Sequence, residues 1–423
     1  MKNELSDELV ITRLIERVES GNTFILEQIG KTIKEIGELT PTKAYQLQQM
    51  IKYGSRYDTI IERLSKITNL NTKEIDEIFE EYAKRDYRFA EKFYKYRNIT
   101  YVPFNEMTAL KNEVDALSLM TKGTYMNLAN ASVLGFWLND RFYNIQEAYQ
   151  YAIDQAILSI SQGKNTYQHQ MYSLLKQFGD SGVRTIDYAS GTSRRVDSAL
   201  RMNLREGIRE LHNATQDVLG KEFGANMIEV SHHSNSAPDH IDTIDGKQFA
   251  MIDVIREQIA KGIEKEIKLE DIEDNCVKVK GKWYDDFDTI NNSLQRKVST
   301  LNCYHSIFTG ILGINKPQFT EKELYEDREK NLKGFDFEGK HLTMYEGTQL
   351  QRRIETEIRK QKDNQILGVS SGNKELIADA QYKITALTNR YRELSKISGL
   401  PTKMERMRVV GYKRVNTKNF KNI

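Results

Sequence analysis

The sequence contains little cysteine and proline, and it lacks any long apolar run. Two cysteines, Cys276 and Cys303, cannot build a disulfide framework, which excludes the class of small disulfide-stapled secreted proteins. Five prolines in 423 residues leave few obligatory helix stops, so long helices are expected. Because no apolar run approaches the roughly 20 residues of a membrane-spanning helix, a membrane partner is not expected.

An excess of charge of one sign is also absent. The chain has 62 Lys and Arg against 60 Asp and Glu, which gives a formal net charge of +2. This balance excludes a globally basic coat for nucleic acid, so any electrostatic partner must bind a local patch. The first residues mix acidic and basic side chains and form no apolar leader, and we therefore expect synthesis in a reducing cytoplasm.

The apolar periodicity predicts an α+β fold that is predominantly α-helical. Helical spacing fills the first 118 residues, a helical block is expected from about 106 to 178, and another helix from 197 to 219. Strands are expected at 184–188 and 227–231, with a hairpin at 277–284. Long, highly charged helices are expected at 346–362 and 374–395.

We expect these elements to form three consecutive regions. Residues 1–118 would be a helical N-terminal domain and 119–320 a compact helical and α+β core. Residues 321–423 would be a helical C-terminal region that ends in a basic tail. A chain of this length is long enough for two or three folded units.

Potential metal ligands cluster in the central region. The four candidates are His232, His240, Cys303 and His305. Imidazole and thiolate are donors that zinc prefers in proteins, and the Cys303-x-His305 pair with a distant histidine could complete a tetrahedron. The spacing has neither the CxxC nor the HExxH form, so it is compatible with a structural zinc ion or with no cofactor.

Two other interpretations of the same segments stay open. In one, Asp239, Asp245, Gly246 and Asn302 form structural turns, whose backbone groups hydrogen-bond the buried His and Asp side chains. In the other, a positioned imidazole activates the Cys303 thiol as a nucleophile, with His240 and Asp245 as its partners.

Basic side chains form local patches that could contact nucleic acid or another partner. One patch lies at and along the helix predicted at 197–219 and comprises Arg194, Arg195, Arg201, Arg205 and Arg209. The tail from 399 to 423 has seven Lys and Arg, including Lys413 and Arg414, against one acid. The segment 82–97 mixes aromatic with basic residues, a pattern typical of a buried helix face and also of a surface on which nucleic acid stacks.

Several strings, in this order, resemble the phage minor capsid protein 2 family. They are Ile186-Asp187-Tyr188-Ala189-Ser190-Gly191, residues 194–203, Glu222-Phe223-Gly224-Ala225, Ser231-His232-His233, Ala237-Pro238-Asp239-His240, residues 245–249, Asn302-Cys303-Tyr304-His305, residues 351–362 and Glu405-Arg406. The resemblance covers about residues 100–412, and the pattern H…DG…NC is also similar to Mu F-like head-morphogenesis proteins. That family often has Arg-Pro where this chain has Ala237-Pro238, so the resemblance assigns no ligand-binding arginine there.

The resemblance implies a virion structural protein of a tailed bacteriophage or prophage, made in the host bacterial cytoplasm. The implied partners are the portal protein, the major capsid protein and packaged double-stranded DNA, and the implied role is head assembly or DNA packaging and ejection. A scaffold or adaptor that leaves the mature particle is a second hypothesis.

The alternative from another class is an enzyme delivered with the genome. It would use the His/Asp/Cys cluster as a metal-dependent site, or it would be similar to ADP-ribosyltransferases. Glu355-Thr356-Glu357 has the Glu-x-Glu form of the transferases, but the Arg and Ser-Thr-Ser elements of that series are not found in order. We therefore expect a structural protein that is not an enzyme.

Overall fold

A computed structural model describes residues 2–38, 53–130, 133–161, 164–187, 190–300, 303 and 305–416 of the chain. Over these ranges the fold is α+β and predominantly helical, which confirms the predicted fold class. The helices are α1 (Lys2–Gly37), α2 (Tyr53–Arg97), α3 (Thr108–Leu128), α4 (Ile145–Ser161), α5 (Lys164–Ser181), α6 (Val196–Phe223), α7 (Ile252–Ala260), α8 (Phe287–Ser293), α9 (Glu321–Lys333), α10 (Met344–Ser371) and α11 (Lys374–Ser398). The strands are β1 (Leu134–Leu138), β2 (Arg141–Asn144), β3 (Arg184–Ile186), β4 (Ser193–Arg195), β5 (Met227–Val230), β6 (Gln248–Ala250), β7 (Cys276–Val279), β8 (Lys282–Asp285), β9 (Ile307–Gly310), β10 (Phe335–Phe337) and β11 (Lys340–Leu342). None of the helices in these ranges is both long and apolar enough to cross a membrane.

The chain forms two compact units, and each is assembled from separate stretches of sequence. Unit 1 comprises Met1–Glu74, Lys122–Leu204 and Gln349–Ile423, and unit 2 comprises Ile75–Thr121 and Arg205–Thr348. All four boundaries fall inside helices, in α2, α3, α6 and α10. Each unit therefore draws on more than one of the three consecutive regions expected from the sequence.

Unit 1 combines long helices with a four-stranded antiparallel sheet in the order β2-β1-β3-β4. Helix α1 packs on α4 and α5, and both of these contact β1. The apolar positions of α1 that recur at helical spacing, such as Leu14 and Ile25, are fully buried. Helix α10 ends where Gly372 adopts a φ of 73°, and Asn373 then caps α11 by accepting a hydrogen bond from Leu376 N–H at 2.9 Å.

A β-hairpin interrupts the helical block that the sequence predicted from about 106 to 178. Strands β1 and β2 pair in antiparallel register, and the chain reverses at Asn139 and Asp140. Their φ angles of 47° and 58° suit the two-residue turn of twisted hairpins. The prediction of helix was wrong here because the apolar run 134–138 is a largely buried strand, which periodicity does not separate from a buried helix.

Unit 2 contains a three-stranded antiparallel sheet in the order β6-β5-β9 and two hairpins, β7-β8 and β10-β11. Strand β5 confirms the strand predicted at 227–231, and the pair β7-β8 confirms the hairpin predicted at 277–284. Lys280 and Gly281 form its turn with φ angles of 51° and 84°.

Helices α2 and α6 supply the aromatic packing of unit 2. The ring of Phe93 stacks on that of Phe223 with 4.7 Å between centroids. His212 of α6 hydrogen-bonds Asp86 of α2 at 2.6 Å and the carbonyl oxygen of Ile307 at 2.8 Å, so it joins the helices to β9. Of the six aromatic residues at 82–97, the buried ones are Tyr82, Tyr87, Phe93 and Tyr94, and the exposed ones are Phe89 and Tyr96. Four of the six aromatic side chains therefore belong to a buried helix face.

One edge of the three-stranded sheet gathers the segments that carry the candidate ligands. The central strand β5 ends at this edge, where Val230 pairs with Ile307 of β9 and Glu229 pairs with Gln248 of β6. Adjacent antiparallel strands run in opposite directions, so the residues after β5 meet those before β6 and β9. The loop 231–247 and the residues that precede 307 therefore lie beside each other.

Candidate functional site

Three potential metal ligands converge at this edge of the sheet in unit 2. The Nδ1 atoms of His240 and His305 lie 3.3 Å apart. The Sγ atom of Cys303 lies 3.8 Å from Nδ1 of His240 and 3.5 Å from Nδ1 of His305. All three side chains are buried, with exposed fractions of 1% for His240, 4% for Cys303 and 4% for His305. Their ligand atoms are close enough to one another to share a single metal ion.

Each of the two imidazoles directs its other nitrogen to an acceptor. His240 Nε2 donates to the carbonyl oxygen of Arg296 at 2.6 Å, and His305 Nε2 donates to Oδ1 of Asp245 at 2.8 Å. A carbonyl oxygen and an ionised carboxylate only accept hydrogen bonds, so Nε2 of each ring carries a proton. In the neutral rings the lone pair of each Nδ1 therefore points into the space shared with Cys303.

Asp245 fixes the orientation of the histidines. Its Oδ1 also accepts hydrogen bonds from the backbone N–H of His233 at 2.9 Å and from the hydroxyl of Ser236 at 2.8 Å. Its Oδ2 accepts a hydrogen bond from Nδ1 of His232 at 2.6 Å. Burial opposes ionisation of Asp245, but the hydrogen bonds from His232 and His305 outweigh burial and hold its pKa well below the usual range of a carboxyl group. Asp245 is therefore a buried anion whose two oxygens accept four hydrogen bonds.

The thiol and the imidazoles shift one another's ionisation. Burial opposes ionisation of Cys303, yet its hydrogen bonds with His240 and His305 lower the pKa of the thiol to about 5. Burial also opposes protonation of His305, but the hydrogen bonds with Asp245 and Cys303 raise its pKa to about 9. For His240, burial lowers the pKa and the hydrogen bond with Cys303 raises it, with a net increase. The site therefore favours a thiolate beside positive charge near neutral pH.

His232, the fourth predicted ligand, is not part of this group. Its Nδ1 binds Asp245, and its Nε2 lies 3.4 Å from Oδ2 of Asp327 on α9. The hydrogen bond with Asp245 raises the pKa of His232. The structure thus brings together three of the four predicted ligands, and His232 instead supports Asp245 from the side opposite His305.

The turn between β5 and β6 carries both His240 and Asp245. The carbonyl oxygen of His240 accepts hydrogen bonds from the backbone N–H groups of residues 243, 244 and 245, which holds the turn closed. Gly246 follows with a φ of 70°, a conformation that side chains with a Cβ rarely adopt. A Cβ at this position would also collide with Leu324 of α9 and lie 3.2 Å from Cβ of His232. Glycine therefore fits position 246 better than a residue that carries a Cβ.

Asp239 anchors the other side of this turn. Its Oδ1 accepts a hydrogen bond from Nη2 of Arg296 at 3.0 Å. The carbonyl oxygen of Arg296 also accepts a hydrogen bond from His240. Arg296 therefore holds the turn through both its backbone and its side chain. Asn302, the remaining predicted turn residue, lies outside the described residues.

Arg209 of α6 holds the segment that carries Cys303. Its Nη1 donates to the carbonyl oxygens of Thr300 at 3.1 Å and of Cys303 at 2.9 Å, and its Nη2 pairs with Glu206. The side chain is only 10% exposed. The sequence suggested that Arg209 contacts nucleic acid or a partner, but internal acceptors take its guanidinium in the folded chain.

Arg195 is also directed inward, in unit 1. Its guanidinium pairs with Asp363 of α10 at 2.8 Å and with Asp197 at 3.3 Å, and Arg359 of α10 pairs with Asp197 at 2.5 Å. Burial raises the pKa of Asp197, but the two arginines outweigh burial and lower it to about 2. With a side chain 10% exposed, Arg195 has almost no surface to offer the nucleic acid or partner that the sequence suggested.

Of the other five basic residues predicted to contact a partner, two are partly buried and three are exposed. Arg201 is partly buried, and its Nη1 lies 3.5 Å from Oγ1 of Thr12; Arg205 is also partly buried. Exposed on the surface are Arg194, Lys413 and Arg414. Three of the seven predicted basic residues are therefore exposed to a partner.

Three polar residues that complete the site were missed in the sequence. Ser236 donates to Asp245, Arg296 accepts from His240 through its backbone, and Asp327 faces His232 from α9. The position of Ser236 in the loop between His232 and His240 could have indicated it. A backbone acceptor such as Arg296 leaves no trace in residue type, and Asp327 is distant in sequence.

Comparison with known proteins gives one finding on the family. The sequence model of the family described as Phage minor capsid protein 2 matches residues 8–395. Curated proteins and solved structures gave no match. The matched range takes in all the candidate ligands and most of the chain. The chain therefore belongs to the phage minor capsid protein 2 family, a family of bacteriophage structural proteins.

Proposed function

We propose that the protein is a minor component of the head of a tailed bacteriophage or prophage, where it lies at the portal or inside the head. There it assists head assembly or the packaging and ejection of DNA, and its partners are the portal protein, the major capsid protein and the packaged DNA. The observation that carries the proposal is the family match over residues 8–395, which includes parts of both compact units. A match of that extent involves the whole fold, whereas one shared motif would support only a local site.

Exposed basic residues of unit 1 support a contact with packaged DNA. The C-terminal segment is held against the unit by Lys362 Nζ, which donates to the carbonyl oxygen of Met407, and by Thr23 Oγ1, which donates to that of Val410 at 2.5 Å. Lys413 and Arg414 follow this anchored stretch and are exposed. Positive charges at fixed positions bind phosphates without regard to base sequence, and such binding weakens as salt rises.

Quantitative mass spectrometry of purified particles, before and after triggered DNA release, tests the location. A fixed number of copies per particle, far below that of the major capsid protein, supports a minor head component. Copies that leave with the DNA indicate delivery, and retained copies indicate attachment to the portal or shell. Absence from finished particles contradicts the proposal and favours an assembly adaptor or a host-directed enzyme.

The DNA contact has its own test, in which Arg194, Lys413 and Arg414 are all changed to Ala. Removal of one phosphate-binding side chain should reduce the slope of log Kobs against log salt by about 0.9, so the triple variant should reduce it by about 2.7. Binding to a double-stranded DNA fragment is measured by fluorescence anisotropy at several salt concentrations. The matched control changes three exposed lysines of unit 2 to Ala: Lys265, Lys322 and Lys340. Equal slopes for the two triple variants would contradict a contact through the unit 1 residues.

A second candidate function, an enzyme delivered with the genome, rests on the alignment of Cys303, His305 and Asp245. The distances of 3.5 Å from thiol to imidazole and 2.8 Å from imidazole to carboxylate place them in the order of a nucleophilic site. Burial of Cys303 opposes this function, since a substrate must reach the sulfur. Rapid alkylation of Cys303 by iodoacetamide in the native protein, at least as fast as that of Cys276, would revive it.

Two strings with the form of enzyme motifs do not support catalysis. Glu355 of the Glu-x-Glu string is buried and accepts a hydrogen bond from the hydroxyl of Tyr391 at 2.9 Å, and Glu357 pairs with Lys360 at 2.7 Å. Residues 368–372 read Gly-Val-Ser-Ser-Gly, but they lie at the C-terminal end of α10. A nucleophile elbow requires a turn from strand to helix. The structural role is therefore better supported.

A further inference from the structure

The space between His240, Cys303 and His305 is suited to a metal cation. Both Nε2 atoms carry protons because they donate to a carbonyl and a carboxylate, so two Nδ1 lone pairs face each other across 3.3 Å. The sulfur of Cys303 faces both of them. A proton would satisfy one of the two lone pairs at a time, whereas a divalent metal ion would bind both nitrogens and the sulfur together.

The distances between the three atoms fit a tetrahedral metal centre. With Zn–N bonds of about 2.1 Å and Zn–S bonds of about 2.3 Å, the edges of a tetrahedron are about 3.4 Å between two nitrogens and about 3.6 Å between nitrogen and sulfur. The observed edges are 3.3 Å between the nitrogens and 3.5 and 3.8 Å from nitrogen to sulfur. One ion placed above the centre of this triangular face, towards a fourth ligand, would reach all three atoms.

We propose that Nδ1 of His240, Nδ1 of His305 and Sγ of Cys303 bind one structural zinc ion, with a water molecule as the fourth ligand. The donor set of two imidazoles and one thiolate suits zinc better than the hard cations Mg²⁺ and Ca²⁺, which prefer oxygen. Among the described residues, no further His, Cys, Asp or Glu belongs to the group. Water therefore completes the coordination.

The hydrogen bonds behind the ligands match those of known zinc sites. Histidine ligands almost always donate their second ring N–H to a carboxylate, a backbone carbonyl or water, which fixes the ring and raises its basicity. Here the carbonyl of Arg296 serves His240, and the carboxylate of Asp245 serves His305. Ser236 and His232 in turn hold Asp245. Both histidine rings therefore have the hydrogen-bond acceptor that a zinc ligand usually has.

The ion would be structural, because the loop 231–247, which carries His240, has little apolar packing of its own. In the loop 231–247 the only large apolar side chain in the buried class is Ile244, and the other ligands come from the segment just before β9. A metal that binds folded but not unfolded chain contributes its binding free energy to folding. All three ligands are also buried, which limits the access of a substrate to the metal.

Metal analysis of the full-length protein, purified without chelators, tests the proposal. We expect one zinc per chain by plasma mass spectrometry. Replacement of zinc by Co²⁺ should give the intense visible bands of a tetrahedral site and a thiolate-to-cobalt charge-transfer band in the near ultraviolet. A folded protein that contains no zinc and takes up neither zinc nor cobalt overturns the proposal. A cobalt spectrum without the thiolate band also overturns it, since it would remove Cys303 from the ligand set.

Matched variants assign the ligands. Cys303→Ser should lose the metal. Cys276→Ser changes the second cysteine of the chain, which lies on strand β7, and it should retain one zinc per chain. If Cys303→Ser does not fold, the cobalt spectrum of the wild type still decides the identity of the sulfur ligand. Zinc content that is equal in the two cysteine variants, both folded, overturns the assignment.

Two further variants separate ligands from the residues that position them. Asp245→Asn should weaken zinc affinity about 10- to 100-fold without abolishing binding, since Asp245 acts through His305. His232→Gln should keep one zinc per chain, because the structure places His232 on Asp245 and not on the metal. Loss of zinc in His232→Gln as complete as in Cys303→Ser would contradict the proposed ligand set.

Discussion

Glu19 of α1 allows a direct test of how unit 1 accommodates buried charge. Its side chain is buried, and burial, followed by the negative charge of Asp197, raises the pKa of Glu19 to about 8. The charges of Asp197 and Asp363 are already matched by Arg195 and Arg359. We therefore predict that Glu19 is protonated in the folded chain at neutral pH, and that Glu19→Gln removes a pH dependence of stability.

The stability of the wild type should fall as pH rises. In the unfolded chain Glu19 ionises around its ordinary pKa of 4.5, whereas in the folded chain it keeps its proton up to about pH 8. Between these values folding takes up a proton, so the free energy of unfolding declines with increasing pH. At about 1.4 kcal/mol for each tenfold change in proton affinity, the full effect is about 5 kcal/mol, and about 4 kcal/mol of it develops between pH 5 and pH 9.

Thermal and urea unfolding of the wild type and Glu19→Gln at pH 5, 7 and 9 measures this effect. The two proteins should be similarly stable at pH 5, and the variant should gain about 4 kcal/mol relative to the wild type by pH 9, roughly 10 °C in Tm. The control Glu27→Gln changes a carboxylate of the same helix that is 39% exposed and pairs with Lys31. A difference between wild type and Glu19→Gln that stays constant from pH 5 to pH 9 would refute the reasoning.

Two further changes have matched controls in the chain. Arg195→Met leaves two buried carboxylates short of a partner and should cost about 3–5 kcal/mol in urea unfolding, whereas Arg194→Met at the exposed neighbour should cost less than about 0.5 kcal/mol. Equal losses of stability would show that the ion pairs do not matter. Gly246→Ala should cost more stability than Gly262→Ala by about 1–3 kcal/mol. Both glycines have φ near 70°, but only at 246 would the new Cβ collide with Leu324. Equal Tm values for the two alanine variants would contradict this account.

Periodicity and turn chemistry predicted those elements in which local signals agree. The helix predicted at 374–395 is α11, where an Asn cap at 373 and a glycine at 399 with φ of 71° mark the two ends. The hairpin β1-β2 was missed because its turn, Asn139-Asp140, lacks the glycine that usually marks a two-residue turn. Its first strand is also apolar throughout the buried positions and has no clear alternation.

The sequence predicted which residue types form the candidate site, but it did not predict where each side chain points. The sequence grouped His232, His240, Cys303 and His305 as equivalent donors, whereas the folded chain directs His232 to Asp245. Whether a histidine can bind the metal depends on which of its ring nitrogens is already hydrogen-bonded. For His240 the hydrogen-bond acceptor is the backbone carbonyl of Arg296. Backbone acceptors and loop directions are set by the pairing of β5 with β6 and β9, so residue spacing alone cannot provide them.

The arginine-rich string at 194–209 shows why composition alone does not locate a binding surface. Arg195 pairs with internal carboxylates, and Arg209 donates to internal carbonyl oxygens. Removal of either arginine would leave buried acceptors without their donor. The nearly neutral net charge therefore includes positive charges that no partner can reach. If the protein binds DNA, its affinity and salt dependence should follow the exposed Arg194, Lys413 and Arg414, and the C-terminal segment should matter more than the helix that the charge pattern first indicated.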